Sequence, residues 1–174
     1  LKLALEKKEK VFLFGDYDVD GTTAVATLSL GLKNAGWDVI TYIPDRYIEG
    51  YGLSKKGIDK AIEEGASLLI TLDCGIKALE LVNYANEKSL DIIITDHHNP
   101  GETLPNALAV INPKRQDCSF PFKELSGCGV GYMLCIATYK SISLDPNKLN
   151  SLLDLVAISI GADMVPLTGI NRYI

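Results

Sequence analysis

Short, mostly apolar runs alternate with longer amphipathic segments along most of the chain. Runs of this kind are typical of strands that are buried on both faces of a parallel sheet. They are Val11–Gly15, Val39–Ile43, Ser67–Leu72, Asp91–Thr95 and Leu108–Ile111. The pattern therefore predicts a sheet of about five strands.

The segments between and after these runs carry the spacing of helices with one buried face. They are Thr22–Ala35, Ser54–Gly65, Ala78–Lys88, Gly129–Ile142 and Leu149–Ile160. Ser54 is a suitable N-cap, and Gly36 is a suitable helix stop. Because alternating strands and helices with short connections require right-handed crossovers, we predict an α/β fold with a doubly wound, mostly parallel sheet. Ligands of such sheets bind beyond the carboxyl ends of the strands.

Potential metal ligands follow three of the predicted strands at that edge. They are Asp16, Asp18 and Asp20 after the first strand, Asp73 after the third, and Asp96, His97 and His98 after the fourth. The chain has only two histidines, and both lie in this last group. Since the carboxyl ends of parallel strands meet at one edge, we expect these side chains to converge.

Aspartates placed so close together repel one another, and burying them is costly unless cations neutralise their charge. Carboxylates with imidazole and without thiolate suit Mn²⁺ or Mg²⁺ better than structural zinc. Two such ions would activate a water molecule and stabilise the attacking and leaving oxygens of a displacement at phosphorus. The sequence therefore predicts a phosphoesterase site with two divalent ions.

Each ligand taken alone also fits a purely structural role. The first three aspartates fit an acidic turn that caps the helix at Thr22 equally well. Asp73 taken alone fits a loop carboxylate without a function, and His97 taken alone fits a structural imidazole. A calcium loop is excluded because Thr27 stands at the twelfth position counted from Asp16, where that loop requires glutamate. The conjunction of the three groups favours the metal site.

Composition limits the remaining possibilities. A chain of 174 residues with 47% apolar residues is sufficient for one domain. No apolar run is long enough to span a membrane, and four cysteines without a CxxC pair fit core thiols in a reducing cytoplasm. The net charge of −5 excludes bulk attraction of nucleic acid, so any polyanion must be met locally. The chain reads as a piece of a longer protein.

Five ordered sequence blocks resemble the DHH phosphoesterase superfamily, and within it the RecJ-like single-strand-specific exonucleases. The blocks are FGDYDVDG at Phe14–Gly21, YIPDRYIEGYGL at Tyr42–Leu53, TDHHNPG at Thr95–Gly101, LSGCGVG at Leu125–Gly131 and GADMVPL at Gly161–Leu167. Phe14 stands where other branches of the superfamily have histidine, which favours the RecJ-like branch. The resemblance implies that residues 1–174 are a DHH catalytic domain without the family's C-terminal substrate-binding domain.

The resemblance also implies a role for each site residue. The implied metal ligands are Asp16, Asp18, Asp20, Asp73, His97 and Asp163, and His98 either completes the metal shell or contacts the scissile phosphate. Asp96 would orient a histidine, as carboxylates commonly do around metal-bound imidazoles. The implied catalytic residues are Asp20, Asp73 and His98, the last as our hypothesis for the general acid.

The implied reaction is hydrolysis of single-stranded DNA from its 5′ end in recombination and repair, without a covalent protein intermediate. We expect a monomer that acts in the cytoplasm, with the single-stranded-DNA-binding protein as a partner. Two alternatives stay open at this point. One is a hydrolase of short oligonucleotides or small cyclic nucleotides, and the other is a scaffold relative that has lost catalysis.

Weaker signals point to substrate contacts. Gly127 and Gly129 form a glycine-rich entry to a helix, which either cradles a phosphate on backbone N–H groups or allows close packing against the sheet. Arg46 and Arg115 lie in predicted loops, where a guanidinium group is able to hold a DNA phosphate.

Overall fold

The computed structural model describes residues 1–174 and contains one parallel sheet of five strands. The strands are β1 (Lys10–Gly15), β2 (Asp38–Tyr42), β3 (Leu68–Leu72), β4 (Asp91–Thr95) and β5 (Ala109–Ile111). Their order across the sheet is β2-β1-β3-β4-β5, and every neighbouring pair is parallel. The predicted fold class and strand number are confirmed.

Six helices and two short 3-10 helices complete the fold. The helices are α1 (Lys2–Glu6), α2 (Val19–Asn34), α3 (Lys55–Glu63), α4 (Leu79–Glu87), α5 (Gly127–Ser141) and α6 (Leu153–Ala162). The 3-10 helices are Pro146–Leu152 and Gly169–Arg172. No helix combines the length and the apolar character that crossing a membrane requires.

Successive strand side chains point to opposite faces of the sheet, and each face has its own core. Val11 and Leu13 of β1 pack under α2, α5 and α6, whereas Phe12 and Phe14 pack under α3 and α4. The central strand β3 is buried at all five positions, which accounts for its uninterrupted apolar character. Helices therefore cover both faces and leave the strand ends open for a site.

Three predicted helix boundaries were wrong. Helix α2 begins at Val19 instead of Thr22, because the Asp18 side chain accepts the Gly21 N–H and caps the helix. Helix α5 begins at Gly127 instead of Gly129, because the Ser126 side chain accepts a hydrogen bond from the Gly129 N–H and caps a first turn that is rich in glycine. The predicted helix Leu149–Ile160 is divided, with its first turn in the 3-10 helix that begins at Pro146.

The four cysteines are free thiols. Cys74, Cys128 and Cys135 are buried as predicted, but Cys118 is partly exposed in the loop after β5.

Candidate active site

The site lies where the sheet reverses its strand order. From β1 the chain moves to β2 on one side, and from β3 it moves outwards to β4 and β5 on the other. Asp16 follows β1 and Asp73 follows β3, so they stand at the crevice between these two strands. Ligands of open α/β sheets bind at this kind of switch point.

Three carboxylates surround one nitrogen of His97. The Nε2 atom lies 3.1 Å from Asp73 Oδ1, 3.5 Å from Asp163 Oδ2 and 3.6 Å from Asp20 Oδ2. Asp163 is the residue that ends α6, at the other end of the sequence from Asp20. The structure therefore brings together residues from four separate segments, as the strand-end argument and the family resemblance predicted.

The backbone at Asp73 adopts a conformation that few residues accept. Its φ angle is +62°, in the left-handed region where aspartate and asparagine are tolerated better than most side chains. A Cβ atom at Gly127 would lie 2.5 Å from the Asp73 Cβ atom, so the start of α5 needs glycine at this contact. The turn after β3 thus presses Asp73 against α5 and directs it into the site.

Four buried polar atoms in the site make no aligned hydrogen bond, although two of them, Asp73 Oδ1 and His97 Nε2, lie 3.1 Å apart. They are Asp16 Oδ2, Asp73 Oδ1, His97 Nδ1 and His97 Nε2. More than nine in ten buried polar groups in native proteins are hydrogen-bonded, so four such atoms at one strand edge require a physical cause. Divalent cations bound to these atoms would provide it.

Burial makes the negative charge at this edge unfavourable. It raises the pKa of Asp73 to about 10, and the nearby Asp20 and Asp18 carboxylates add to the effect. Burial also raises the pKa of Asp16 to about 6 and raises that of Asp163. A cation would favour the ionised carboxylates that this environment otherwise disfavours.

The geometry fits small divalent ions. Two sets of side chains offer ligand atoms that lie within 4.8 Å of one another: Asp73 with His97 and His98, and Asp20 with His97 and Asp163. Neighbouring ligands of an octahedral ion with bonds of about 2.1 Å lie about 3 Å apart. The 3.1 Å separation of Asp73 Oδ1 and His97 Nε2 matches this value. The second set has two carboxylates and one imidazole, and oxygen-rich ligand sets of this kind suit Mg²⁺ and Mn²⁺.

Asp20 is held firmly by the start of α5. Its Oδ2 atom accepts the Gly127 N–H at 2.7 Å, and its Oδ1 atom accepts the Cys128 N–H and the Ser159 hydroxyl, each also at 2.7 Å. Charged acceptors are stabilised at helix N-termini by the unpaired N–H groups and by the helix dipole. The side chain is almost completely buried, so these bonds fix its orientation.

Asp96 holds His98 in place. Its Oδ1 atom lies 2.7 Å from His98 Nδ1 and also accepts the backbone N–H groups of His97 and His98. Its Oδ2 atom accepts the Ile76 N–H. Burial opposes ionisation of Asp96, but these hydrogen bonds, that from the His98 side chain foremost, lower its pKa overall.

With Nδ1 committed to Asp96, the other nitrogen of His98 faces outwards. The His98 Nε2 atom lies 3.1 Å from the Tyr51 hydroxyl, and the His98 side chain is 42% exposed. A cavity of about 330 Å³ opens beside this pair, between the loop that carries Tyr51 and the turn after β3. His98 is therefore the histidine that a bound molecule is able to reach.

The remaining aspartates of the first motif differ from Asp20. Asp18 is exposed and caps α2, since its Oδ1 atom accepts the Gly21 N–H at 2.9 Å. Of the three aspartates that were candidates for capping this helix, only Asp18 caps it, through one of its two carboxylate oxygens. Asp16 is fully buried, and its Oδ1 atom accepts the Tyr17 N–H while its Oδ2 atom has no partner.

The glycines and arginines that were predicted to contact substrate are mostly engaged within the protein. The N–H groups of Gly127 and Gly129 donate to Asp20 and to Ser126, so neither is free to cradle a phosphate. Close packing, the alternative for these glycines, is what the structure shows at Gly127. Arg115 is bound to the Asp117 carboxylate and to the Val110 carbonyl. Arg46 is exposed, with its guanidinium 5.4 Å from the centre of the Tyr17 ring.

Two serines of the site were not predicted. Ser126 precedes α5 and Ser159 lies inside α6, and both are completely buried next to Asp20. A weak signal was available for each. Ser126 stands at an N-cap position, and Ser159 lies four residues before Asp163, which places the two on one side of a helix.

Comparison with known proteins agrees with this geometry. The chain is 43% identical over its whole length to the single-stranded-DNA-specific exonuclease RecJ of Bacillus subtilis. It is 36% identical, over 99% of its length, to the RecJ protein of Thermus thermophilus. The chain spans only 21% of the first relative and 25% of the second.

Solved structures give the same result. A crystal structure of exonuclease RecJ bound to manganese superposes with a TM-score of 0.88 at 36% identity, over 99% of this chain and 43% of that one. The Thermus thermophilus RecJ structure in complex with Mn²⁺ has a TM-score of 0.80 at 33% identity, over 98% of this chain and 24% of that one. The resemblance to RecJ-like proteins is therefore confirmed.

The family model described as the DHH family, N-terminal domain, matches residues 10–160. This match includes all five strands and every site residue named above except Asp163. Because it takes in most of the sequence, the chain belongs to the DHH family.

Proposed function

We propose that the chain is the catalytic domain of a metal-dependent exonuclease that hydrolyses the phosphodiester bonds of single-stranded DNA from the 5′ end. The observation that carries the proposal is the group of four buried atoms without partners on Asp16, Asp73 and His97, at the switch point of the sheet. The relatives named as single-stranded-DNA-specific exonucleases and the RecJ structure bound to manganese support it.

The proposed ligands of two Mn²⁺ or Mg²⁺ ions are the side chains that meet at His97. One candidate group combines Asp73, His97 and His98, and the other combines Asp20, His97 and Asp163. Because the Nε2 atom of His97 has one lone pair, it would bind only one of the two ions. Asp16, with one free buried oxygen, and Asp18, with an oxygen not used in capping, complete the proposed set. Bound ions would polarise the scissile phosphodiester and lower the pKa of a water molecule.

In this proposal, the protein orients the His98 side chain towards the cavity and fixes the positions of the metal ligands. Asp96 accepts from Nδ1 of His98 and so keeps Nε2 directed towards the cavity. We assign Nε2 the delivery of a proton to the leaving oxygen, where a substrate would replace the Tyr51 hydroxyl. His98 Nδ1 is a weaker candidate for a metal ligand, because it lies 3.9 Å from Asp73 Oδ1 and is already bonded to Asp96.

The cellular setting follows from the same proposal. Four free thiols fit a reducing cytoplasm, where a nuclease of this kind would take part in recombination and repair. The single-stranded-DNA-binding protein and a monomeric state stay predictions from the family resemblance.

The test is digestion of end-labelled single-stranded and duplex DNA, with Mn²⁺ or Mg²⁺, by the 174-residue chain and by any longer gene product that contains it. Release of nucleotides from the 5′ ends of single strands alone, abolished in an Asp73→Asn control, is the expected result. Cleavage restricted to very short oligonucleotides or cyclic dinucleotides would instead establish the second candidate. Metal binding without cleavage of any of these would favour the scaffold alternative.

A further inference from the structure

A chain of buried hydroxyl groups leads from the start of α5, through α6, to the Asp20 carboxylate. We propose that Ser159 and Ser126 are positioning residues that fix this carboxylate, so that it presents a single oxygen atom, Oδ2, to a divalent cation. The inference rests on the proposed function, because it assumes that Asp20 is a metal ligand. It adds two residues that contact no ion and no substrate.

The direction of the hydroxyl chain follows from counting hydrogens. Ser159 Oγ lies 2.7 Å from Asp20 Oδ1 and 2.6 Å from Ser126 Oγ. Each serine has one hydroxyl hydrogen, and an ionised carboxylate only accepts. Ser159 therefore donates to Asp20, and Ser126 must donate to Ser159. Ser126 in turn accepts the Gly129 N–H at 3.1 Å, so every donor along the chain points towards Asp20.

The same count leaves Asp20 with one site for a cation. A carboxylate oxygen accepts about two hydrogen bonds. Oδ1 is saturated by the Cys128 N–H and by the Ser159 hydroxyl. Oδ2 accepts the Gly127 N–H and keeps one free position, 3.6 Å from His97 Nε2. Asp20 is thus prepared to bind an ion through one oxygen, and rotation would break all three bonds.

Ser159 also connects Asp20 to the other end of the site. It lies one helical turn before Asp163, and its backbone carbonyl accepts the Asp163 N–H at 2.9 Å. Asp20 and Asp163 belong to the same candidate ligand group. A bond from Ser159 to Asp20 therefore sets the distance between two ligands that come from opposite ends of the sequence.

Ser159 does not make the bond that helical hydroxyl groups usually make. Serine and threonine inside helices often donate to the carbonyl four residues earlier, as Thr138 does to Leu134. Ser159 instead donates across the helix interface, although it is fully buried. Its orientation serves the Asp20 contact and not its own helix.

The experiment is a titration of the chain with Mn²⁺ in the absence of DNA. The concentration of free Mn²⁺ is measured at each step by electron paramagnetic resonance. Ser159→Ala should weaken Mn²⁺ binding about tenfold to hundredfold, as the loss of partners behind metal ligands commonly does. Ser29→Ala is the matched control, because Ser29 is a buried helical serine with no bond to the site, and it should leave the Mn²⁺ dissociation constant unchanged. Circular dichroism would establish that both variants are folded.

The second arm tests whether the two hydroxyl groups act in series. Ser126→Ala should weaken Mn²⁺ binding by less than Ser159→Ala, because the Ser126 hydroxyl group contacts Asp20 only through Ser159, and its other bond is to the Gly129 N–H, which does not hold Asp20. In a Ser159→Ala background, the further change Ser126→Ala should then have no additional effect on Mn²⁺ affinity. If Ser159→Ala fails to fold, weaker Mn²⁺ binding by Ser126→Ala alone would support the inference, and unchanged binding would overturn it.

The outcomes separate this inference from the proposed function. Unchanged Mn²⁺ affinity in Ser159→Ala, or losses that add fully in the double variant, would overturn the inference and leave the nuclease proposal intact. An unmodified chain that binds Mn²⁺ but cleaves no DNA would overturn the function while the affinity differences among the variants still supported the inference. Failure of the unmodified chain to bind Mn²⁺ would overturn both.

Discussion

The buried polar side chains of the candidate site fall into two groups with different hydrogen bonding. We call Asp20 and Asp96 the held half, and Asp16, Asp73 and His97 the open half. In the held half, Asp20 and Asp96 are buried, yet each oxygen accepts at least one hydrogen bond from the protein. In the open half, buried atoms of Asp16, Asp73 and His97 have no partner. Both halves are equally inaccessible to solvent, so burial alone does not account for the difference.

The difference indicates that the two halves have different functions. Unpaired buried polar groups cost roughly 1 to 3 kcal/mol each, so the open half destabilises the fold unless something else binds there. The held half is already satisfied and keeps the surrounding side chains in place. Active sites commonly combine a strained, functional part with a rigid support. We therefore assign cation binding mainly to the open half, with Asp20 Oδ2 as the one ligand atom from the held half, and we assign the other contacts of the held half to orientation of its neighbours.

The largest effect is expected from Asp73→Asn, which changes the centre of the open half. Asparagine tolerates the left-handed backbone at this position, so the fold should survive. DNA cleavage should fall at least about a thousandfold, because several kcal/mol of metal-derived stabilisation would be lost. Without metal, the variant should melt at a higher temperature than the unmodified chain, because a buried carboxyl group next to Asp20 and Asp18 has been removed.

Initial cleavage rates and thermal unfolding in EDTA would measure these two changes. An exposed Asp117→Asn variant is the control for charge alone, since Asp117 pairs with Arg115. A metal-free Asp73→Asn chain that melts at a lower temperature would contradict the idea that the open half is costly.

A smaller loss is expected from Asp96→Asn in the held half. The substitution removes the charge that orients His98 through Nδ1, so the rate of cleavage should fall about tenfold to hundredfold. Mn²⁺ affinity should change less than in Asp73→Asn. Steady-state kinetics together with a Mn²⁺ titration would separate the two effects, and an equal loss of affinity in both variants would remove the distinction between the halves.

Metal itself should stabilise the open half without any substitution. At a free Mn²⁺ concentration about one hundred times the dissociation constant, the free energy of unfolding should rise by about 2.7 kcal/mol. For a domain of this size that corresponds to a rise of roughly 5 to 10 °C in melting temperature. Differential scanning calorimetry with and without EDTA would measure the shift, which Asp73→Asn should largely abolish.

The smallest effect is expected away from both halves. Ser54 caps α3 by accepting the Gly57 N–H at 3.0 Å, so Ser54→Ala should lower the free energy of unfolding by about 1 kcal/mol. Mn²⁺ affinity should stay the same. Urea denaturation and metal titration of this variant would measure the two quantities. A fall in Mn²⁺ affinity would show that a general loss of stability is enough to disturb the site, contrary to this expectation.

Much of the site could be predicted because its ligands follow strands. Strand β4 begins and ends where its apolar run predicted, and the parallel order then brings Asp96 and His97 to the same edge as Asp73. Asp163 was expected only from the family resemblance. No periodic pattern links a residue at the end of α6 to the end of β1.

The supporting contacts were harder to predict for a physical reason. Ser126 and Ser159 are distant in sequence from Asp20, and hydroxyl groups leave no hydrophobic pattern when they are buried. The glycines at the start of α5 suggested a phosphate cradle, because the sequence does not show which acceptor their N–H groups meet. That acceptor proved to be Asp20 at Gly127 and Ser126 at Gly129.

The most direct test of the account is a crystal structure of the chain with Mn²⁺, with anomalous differences recorded at the manganese edge. The account predicts two anomalous peaks at the switch point, with Asp73 Oδ1 bound to an ion, His97 Nε2 bound to one of the two ions, and Asp20 bound through Oδ2 alone. An absence of peaks at this edge, with those atoms still lacking partners, would contradict it.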